Sequence, residues 1–367
     1  MLGISLYPDQ TKFEDDVKYL DLALKYGFKI VFMSILQIDI NNPKKSINRI
    51  KESIQYAKKL KMEVTLDVHP FVFKYLKIAP TNLKYFFELG VTTIRIDSSF
   101  DGKTEAEMTN NPYGINIELN MSNNTNYLDL IHSFNPNKKY LRGSHNFYPQ
   151  RLTGLSLKLF KECSQRFSDF KVNSAAFITA KSATISPWPI AEGLCTLELH
   201  RSLPISTQVK HYKMLNCIDD LIIGDAYASE SELQATSETY NSKIDTIKIT
   251  IAAETSELEK EIIFENEHEY RGDTSEFVIR SSKSRLKYTK DPLPKKKEPK
   301  NIKKGDILIL NEEYGQYKAE LQISLCDRQA DSRVNVVGRI INTEMLLLSE
   351  LKPFQKFKFE WMEDNDE

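Results

Sequence analysis

The 367-residue sequence predicts an α/β fold, a TIM-like (β/α)8 barrel, followed by a smaller β domain. Three observations carry this. Eight short β-branched or apolar runs alternate with longer stretches of helical apolar spacing through roughly the first 240 residues. The first strand runs into Leu6-Tyr7-Pro8-Asp9 and not into the Gly-rich turn of a doubly wound sheet. Beyond Tyr240 strand-like runs follow one another without long helical stretches between them, which places a boundary between 1–240 and 241–367.

Taken in order, the barrel strands are expected at Gly3 to Tyr7, Lys29 to Leu36, Met62 to Val68, Thr92 to Asp97, Gly114 to Asn120, Tyr140 to Phe147, Val172 to Thr179 and Asp220 to Asp225. Each is followed by a segment with an apolar stripe, such as Phe13, Val17, Leu20 and Leu24, or Ile47, Ile50, Ile54 and Ala57. The β domain is expected to use Thr246 to Ile251, Phe277 to Arg280, Asp306 to Leu310, Ala319 to Ser324 and Val334 to Ile340. A basic, Pro-broken run from Lys290 to Lys300 reads as a solvated loop open to proteolysis at Lys295 to Lys297, and the acidic end from Glu363 to Glu367 as a frayed tail.

Composition narrows the function. Lys plus Arg (50) and Asp plus Glu (51) nearly cancel to a net charge of −1, so no global field favours a nucleic acid partner. Cys163, Cys195, Cys217 and Cys326 are widely spaced and form no C-x-x-C pair, as expected in a reducing compartment. The opening MLGISLYPDQ has no signal-peptide pattern, and no apolar run approaches the ~18 residues of a membrane span. The expectation is a cytoplasmic protein with no membrane contact and no cofactor, and no oligomeric state is predicted.

In a barrel of this kind reactive groups collect at the C-terminal strand ends. Those positions hold Tyr7, Gln37, Asp67, His69, Arg95, Asp97, Glu118, Asn120, His145, Asn146, Phe147, Tyr148, Thr179, Asp225 and Tyr227. Asp97 and Glu118 end the adjacent fourth and fifth strands, and neighbouring strands lie about 4.8 Å apart. Their carboxyl groups can thus reach the ~5 to 9 Å separation of a glycosidase pair, one giving a proton and one facing the oxocarbenium-like centre. Asp67 and Asp225 are reserves that orient the sugar or replace one member, with Arg95 as a cation if its side chain turns inward. An alternative set, His69 and His145 with Asp67 and Asp225, has the ligand types for zinc or manganese but no metal-site spacing. The long stretch from Ala180 to Gly193 after the seventh strand reads as functional, and Arg201 beyond it as an anion ligand.

Gly3-Ile4-Ser5-Leu6-Tyr7-Pro8, His145-Asn146-Phe147-Tyr148-Pro149 with Thr153-Gly154-Leu155, and Ile223-Gly224-Asp225-Ala226-Tyr227-Ala228-Ser229 resemble the 6-phospho-N-acetylmuramidases. Arg271-Gly272-Asp273, Ile279-Arg280-Ser281, Ser284-Arg285, Tyr314-Gly315, Glu320-Leu321-Gln322 and Arg333 to Arg339 extend the resemblance over nearly the whole chain. It implies a cyclophilin-like second domain and a cytoplasmic enzyme of cell-wall recycling. The implied substrate is a phosphorylated amino-sugar disaccharide in which N-acetylmuramic acid 6-phosphate is joined to N-acetylglucosamine. On this reading His145, Asn146 and Tyr148 bind sugar hydroxyls with Tyr7, His69, Asn120 and Tyr227 nearby, and Arg201, Arg280 and Arg285 take anionic groups, the β domain docking near the barrel mouth. The competing classes are a phosphosugar-binding regulator without turnover and a metal-dependent phosphosugar isomerase or aldolase.

Overall fold

The computed structural model describes residues 1–36, 43–190, 192–296 and 301–362, with 43–46 described by backbone alone. Gln37, Ala191, Lys297 to Lys300 and the acidic end 363–367 lie outside the described residues. Contacts within the chain divide it into two compact units, Met1–Tyr240 and Asn241–Glu367.

The first unit is a closed barrel of eight parallel strands in chain order. They are β1 (Leu2–Leu6), β2 (Ile30–Ser34), β3 (Glu63–Val68), β4 (Thr93–Ile96), β5 (Asn116–Asn120), β6 (Leu141–Ser144), β7 (Asn173–Ile178) and β8 (Asp220–Ile223). Seven fall inside the expected segments, and β1 begins one residue before its own. Helices follow each strand: α1 (Phe13–Lys25), α2 (Pro43–Lys59), α3 (Pro70–Tyr75) with α4 (Lys84–Leu89), α5 (Lys103–Met108), α6 (Tyr127–Ser133), α7 (Leu157–Asp169), α8 (Ile205–Leu215) and α9 (Glu230–Asn241). Their starts are set by local chemistry. Ser156 Oγ accepts from Leu159 N to cap α7 (3.3 Å), and Glu14, Asp15 and Asp16 stand where the first turn of α1 favours negative charge.

Strand residues alternate between two cores. Ile4, Leu6, Val31, Met33, Leu66, Ile94, Ile117, Ile178 and Ile223 face outward, where helix residues such as Leu20, Ile54, Phe86, Ile131 and Val209 bury them. The inward positions are not uniform. Ile30, Phe32, Ala175, Phe177 and Ile222, from β2, β7 and β8, form an apolar half of the interior. Asp67, Arg95 and Glu118 are register partners across β3, β4 and β5 and are also buried. A barrel layer that is usually Val, Ile or Leu is here apolar on one side and charged on the other.

The second unit contains β9 (Asp245–Ile251), α10 (Glu257–Phe264), β10 (His268–Glu269), β11 (Val278–Ser281), α11 (Lys283–Tyr288), β12 (Asn301–Ile302), β13 (Asp306–Leu310), β14 (Leu321–Ser324), β15 (Arg328–Gln329), β16 (Val334–Ile340) and β17 (Lys356–Trp361). Its main sheet has the order β10-β17-β9-β16-β13-β14-β11, and only the β9–β17 pair is parallel. A hydrogen bond from Arg271 N to Arg280 O (3.0 Å) and the approach of His268 Nδ1 to Ser281 Oγ (3.2 Å) join its two ends into a nearly closed barrel. The five expected strands are present.

Two expectations for this unit need refinement. The described part of the basic run is a loop without helix or strand, exposed at Lys290, Pro292, Pro294 and Lys295 as expected, but it is pinned to the unit: Leu293 is buried, its N–H donates to Glu312 Oε1 (3.1 Å), and Lys296 Nζ binds Glu254 O (2.6 Å) and Glu259. Neither Arg280 nor Arg285 is a free anion ligand. Arg280 binds both carboxylate oxygens of fully buried Glu320 (2.7 and 3.0 Å), and Arg285 approaches the same group (3.4 Å) while lying over the Tyr317 ring. A buried carboxylate needs such partners, so these arginines are matched to an anion inside their own unit.

Candidate active site

Arg95 is the centre of the charged half of the barrel. Its position on β4 turns inward, between Asp67 on β3 and Glu118 on β5. Nη1 donates to Asp67 Oδ1 (2.7 Å) and lies 3.6 Å from Asp97 Oδ1; Nε donates to Ser144 Oγ (2.8 Å) and lies 3.9 Å from Glu118 Oε1; Nη2 donates to Asn146 Oδ1. Three carboxyl groups from three strands thus surround one guanidinium. Above them opens a cavity of about 290 Å³. Its lining is polar at Asp67, Arg95, Asp97 and Asn146 and apolar at Phe32, Leu36, Phe147, Pro149, Phe177 and Trp188. Phe32 and Phe177 bring in the apolar half of the barrel interior, and Asp67 and Arg95 the charged half.

Burial decides the protonation of this cluster. Removal from water pushes Asp67 above the ordinary Asp range even though Arg95 draws it down, and pushes Glu118 up despite Ser144 and Arg95. Glu118 Oε1 is buried without a hydrogen-bond partner, and Glu118 does not line the cavity. Asp97, with 34% of its side chain exposed, stands at the opening. Like charges around one cation, in a site mostly closed to water, favour retention of a proton by one of them. The carboxyls that reach the cavity are Asp67 and Asp97, whereas Glu118, expected to pair with Asp97, lies behind Arg95.

Asn146 lines the cavity, and half-buried Tyr148 interacts with it and with Ser122. The other candidates are elsewhere. His145 follows inward-facing Ser144 and so points outward, where both ring nitrogens meet serine hydroxyls, Ser122 (3.3 Å) and Ser164 (3.0 Å). Burial pushes its pKa down to about 3, which keeps the ring neutral and structural. His69 caps α3 by accepting from Phe71 N (3.0 Å), and Asn120 Oδ1 accepts from Ser122 N (3.0 Å). Tyr7 Oη donates to Gly224 O (2.5 Å), and Tyr227 Oη to Asp16 Oδ1 (2.6 Å). The metal set of His69, His145, Asp67 and Asp225 is therefore spread over four environments, and no group of three or more metal-ligating side chains occurs among the described residues.

Asp225 and Arg201 hold the long seventh loop. Asp225 accepts from Thr179 Oγ1 (2.5 Å), Leu194 N (3.3 Å) and Ala180 N (3.4 Å), and its burial raises its pKa to about 6. Arg201 binds Glu198 through Nε and Nη2 (both 2.7 Å) and gives Nη1 to the carbonyls of Glu192 (3.1 Å) and Gly193 (2.8 Å). These bonds draw Glu198 down to about 2. Arg201 is thus a loop anchor, not an open phosphate ligand. Sequence reasoning set Phe147 among the strand-end positions and Trp188 in a functional loop, but gave neither a part in lining the cavity. Phe147 follows outward His145 by two residues, and nothing in the spacing of the seventh loop indicates which residue returns to the mouth.

The model for 6-phospho-N-acetylmuramidase, N-terminal, matches residues 2–238, and that for 6-phospho-N-acetylmuramidase, C-terminal, matches residues 246–360. A crystal structure of an uncharacterized B. cereus protein is similar over 98% of this chain and 99% of that one, at 42% identity and a TM-score of 0.88. A conserved protein of unknown function from Enterococcus faecalis matches with 24% identity and a TM-score of 0.74, over 98% of this chain and 96% of its own. No curated protein matches the sequence.

Proposed function

The chain belongs to the 6-phospho-N-acetylmuramidase family and is a glycosidase, and from that premise we propose that it hydrolyses the linkage between N-acetylmuramic acid 6-phosphate and N-acetylglucosamine in a disaccharide phosphate. The reaction would serve peptidoglycan recycling in the cytoplasm. Among the described residues no helix is long and apolar enough to cross a membrane.

The observation that carries the mechanism is the presence of Asp67 and Asp97 in one cavity lining with Arg95 between them. Glycoside cleavage needs one carboxyl that gives a proton to the leaving oxygen and a second that faces the oxocarbenium-like centre or the attacking water. Asp67 suits the first role because burial raises its pKa, and Asp97 suits the second because it stands in the cavity opening. Arg95 holds both in place and offsets their charge, while Glu118 and Ser144 fix Arg95 from behind. Asp225 supports the loop that brings Trp188 to the lining.

Incubating the purified protein with the disaccharide phosphate and measuring free N-acetylglucosamine tests the reading. Release that disappears in Asp97→Asn supports it. Binding without release by the unmodified protein would sink hydrolysis and favour a regulator.

A further inference from the structure

The cavity has a chemical polarity that the hydrolytic reading does not use. A sugar ring has one face of C–H groups and an edge of hydroxyls, and the cavity lining carries partners for both. Trp188, 42% exposed, lines it together with Phe32, Phe147 and Phe177, whose rings pack on one another, and with Asp67, Asp97, Arg95 and Asn146. At about 290 Å³ the space lies just below the roughly 300 to 1,000 Å³ of drug-sized ligand pockets, suiting one substituted ring.

Charge then decides which ring. Among the described residues that line the cavity, Arg95 is the only cation, and its donors already reach Asp67, Ser144 and Asn146. Asp67, Asp97 and Glu118 all lie within 3.9 Å of it, so the region has more negative than positive groups. A phosphate or a lactyl carboxylate placed there would meet carboxylates with no guanidinium left to bind it. A ring carrying only hydroxyls and an acetamide meets acceptors for its O–H and N–H groups and an aromatic face for its C–H groups.

We propose that this cavity is the subsite for the neutral sugar, with Trp188 as its stacking platform, and that the phosphorylated ring lies outside it beyond Asp97. The identity of the two sugars rests on the hydrolytic reading above; the preference for a neutral over an anionic ring rests on the cavity alone.

The sequence contains two tryptophans, Trp188 and Trp361. Trp361→Phe, in the second unit, leaves Trp188 as the sole indole emitter. Titration of that full-length variant with N-acetylglucosamine should change Trp188 emission saturably. N-acetylmuramic acid 6-phosphate should produce no saturable change over the same range. In the background of unmodified Trp361, Trp188→Ala should weaken product inhibition by N-acetylglucosamine about tenfold, the scale expected for loss of a large aromatic contact, and Trp188→Phe should restore part of it. Emission that ignores the neutral sugar, or that responds as strongly to the phosphorylated one, would overturn the assignment. Because the readout is binding, a protein that binds N-acetylglucosamine at Trp188 yet fails to cleave the disaccharide would keep this subsite and remove the hydrolytic reading.

Discussion

At the scale of single residues the protein spends its charge on a few close contacts. Asp67→Asn and Asp97→Asn should each lower turnover of the disaccharide by on the order of 10² to 10⁴, measured as N-acetylglucosamine release, with the folded state retained. Glu118→Gln should cost less, since Glu118 is buried behind Arg95 and outside the cavity lining. Arg95→Met leaves three carboxyls around an uncharged side chain and should destabilise the protein by about 3 to 5 kcal/mol in urea unfolding. Adding Asp67→Asn to Arg95→Met should recover part of that loss, because the two residues share one ion pair. Asp225 gives a pH signature. Its folded pKa, about 6, lies above the ordinary 3.8, so its contribution to stability is full below 3.8 and is lost as pH rises through about 6. At about 1.4 kcal/mol per pKa unit the change is at most about 3 kcal/mol. The difference in Tm between the unmodified protein and Asp225→Asn should shift against the unmodified protein across that interval; a constant difference would show that Asp225 does not titrate there.

At the scale of elements, the seventh loop is held by three separate devices. Asp225 binds its two ends, Arg201 binds its carbonyls, and the chain just after β8 meets it at Gly224, where an added Cβ would clash with Leu194 O. Gly224→Ala must therefore push the loop and Trp188 with it, and should raise KM more than it lowers kcat in steady-state assays. Arg201→Met should weaken phosphorylated and unphosphorylated substrates by equal factors, whereas a true phosphate ligand would affect only the first. The sequence made the strands legible because their runs are β-branched and bounded by turns, but the alternation that turns His145 outward behind inward Ser144 was not applied there, and His145 was expected at the sugar. Alternation also assigns Arg95 the parity of Asp97, so its inward direction was available once the strand end was known. Short β10, β12 and β15 were illegible because two-residue strands have no period to read, and β17 because only its Phe357 and Phe359 are buried in a chain end that reads as mixed charge. Arg201, Arg280 and Arg285 looked free because their partners, Glu198 and Glu320, are matched to them by folding and not by a recognisable motif.

At the scale of the whole molecule, the order of strands in the barrel separates two tasks along the chain. The groups that carry protons come from 67–146, and most of the aromatic lining comes from Phe32 before them and from Phe147, Phe177 and Trp188 after them. Which ring fits and how it is cleaved are thus written in different stretches of sequence. Phe32→Leu or Phe177→Leu should change the ranking of sugars that the enzyme accepts while leaving the shape of its pH–rate profile intact; a displaced profile would show that the two sets of residues are coupled. A barrel divided in this way can change its diet by drift in one stretch while its chemistry is inherited unaltered in the other.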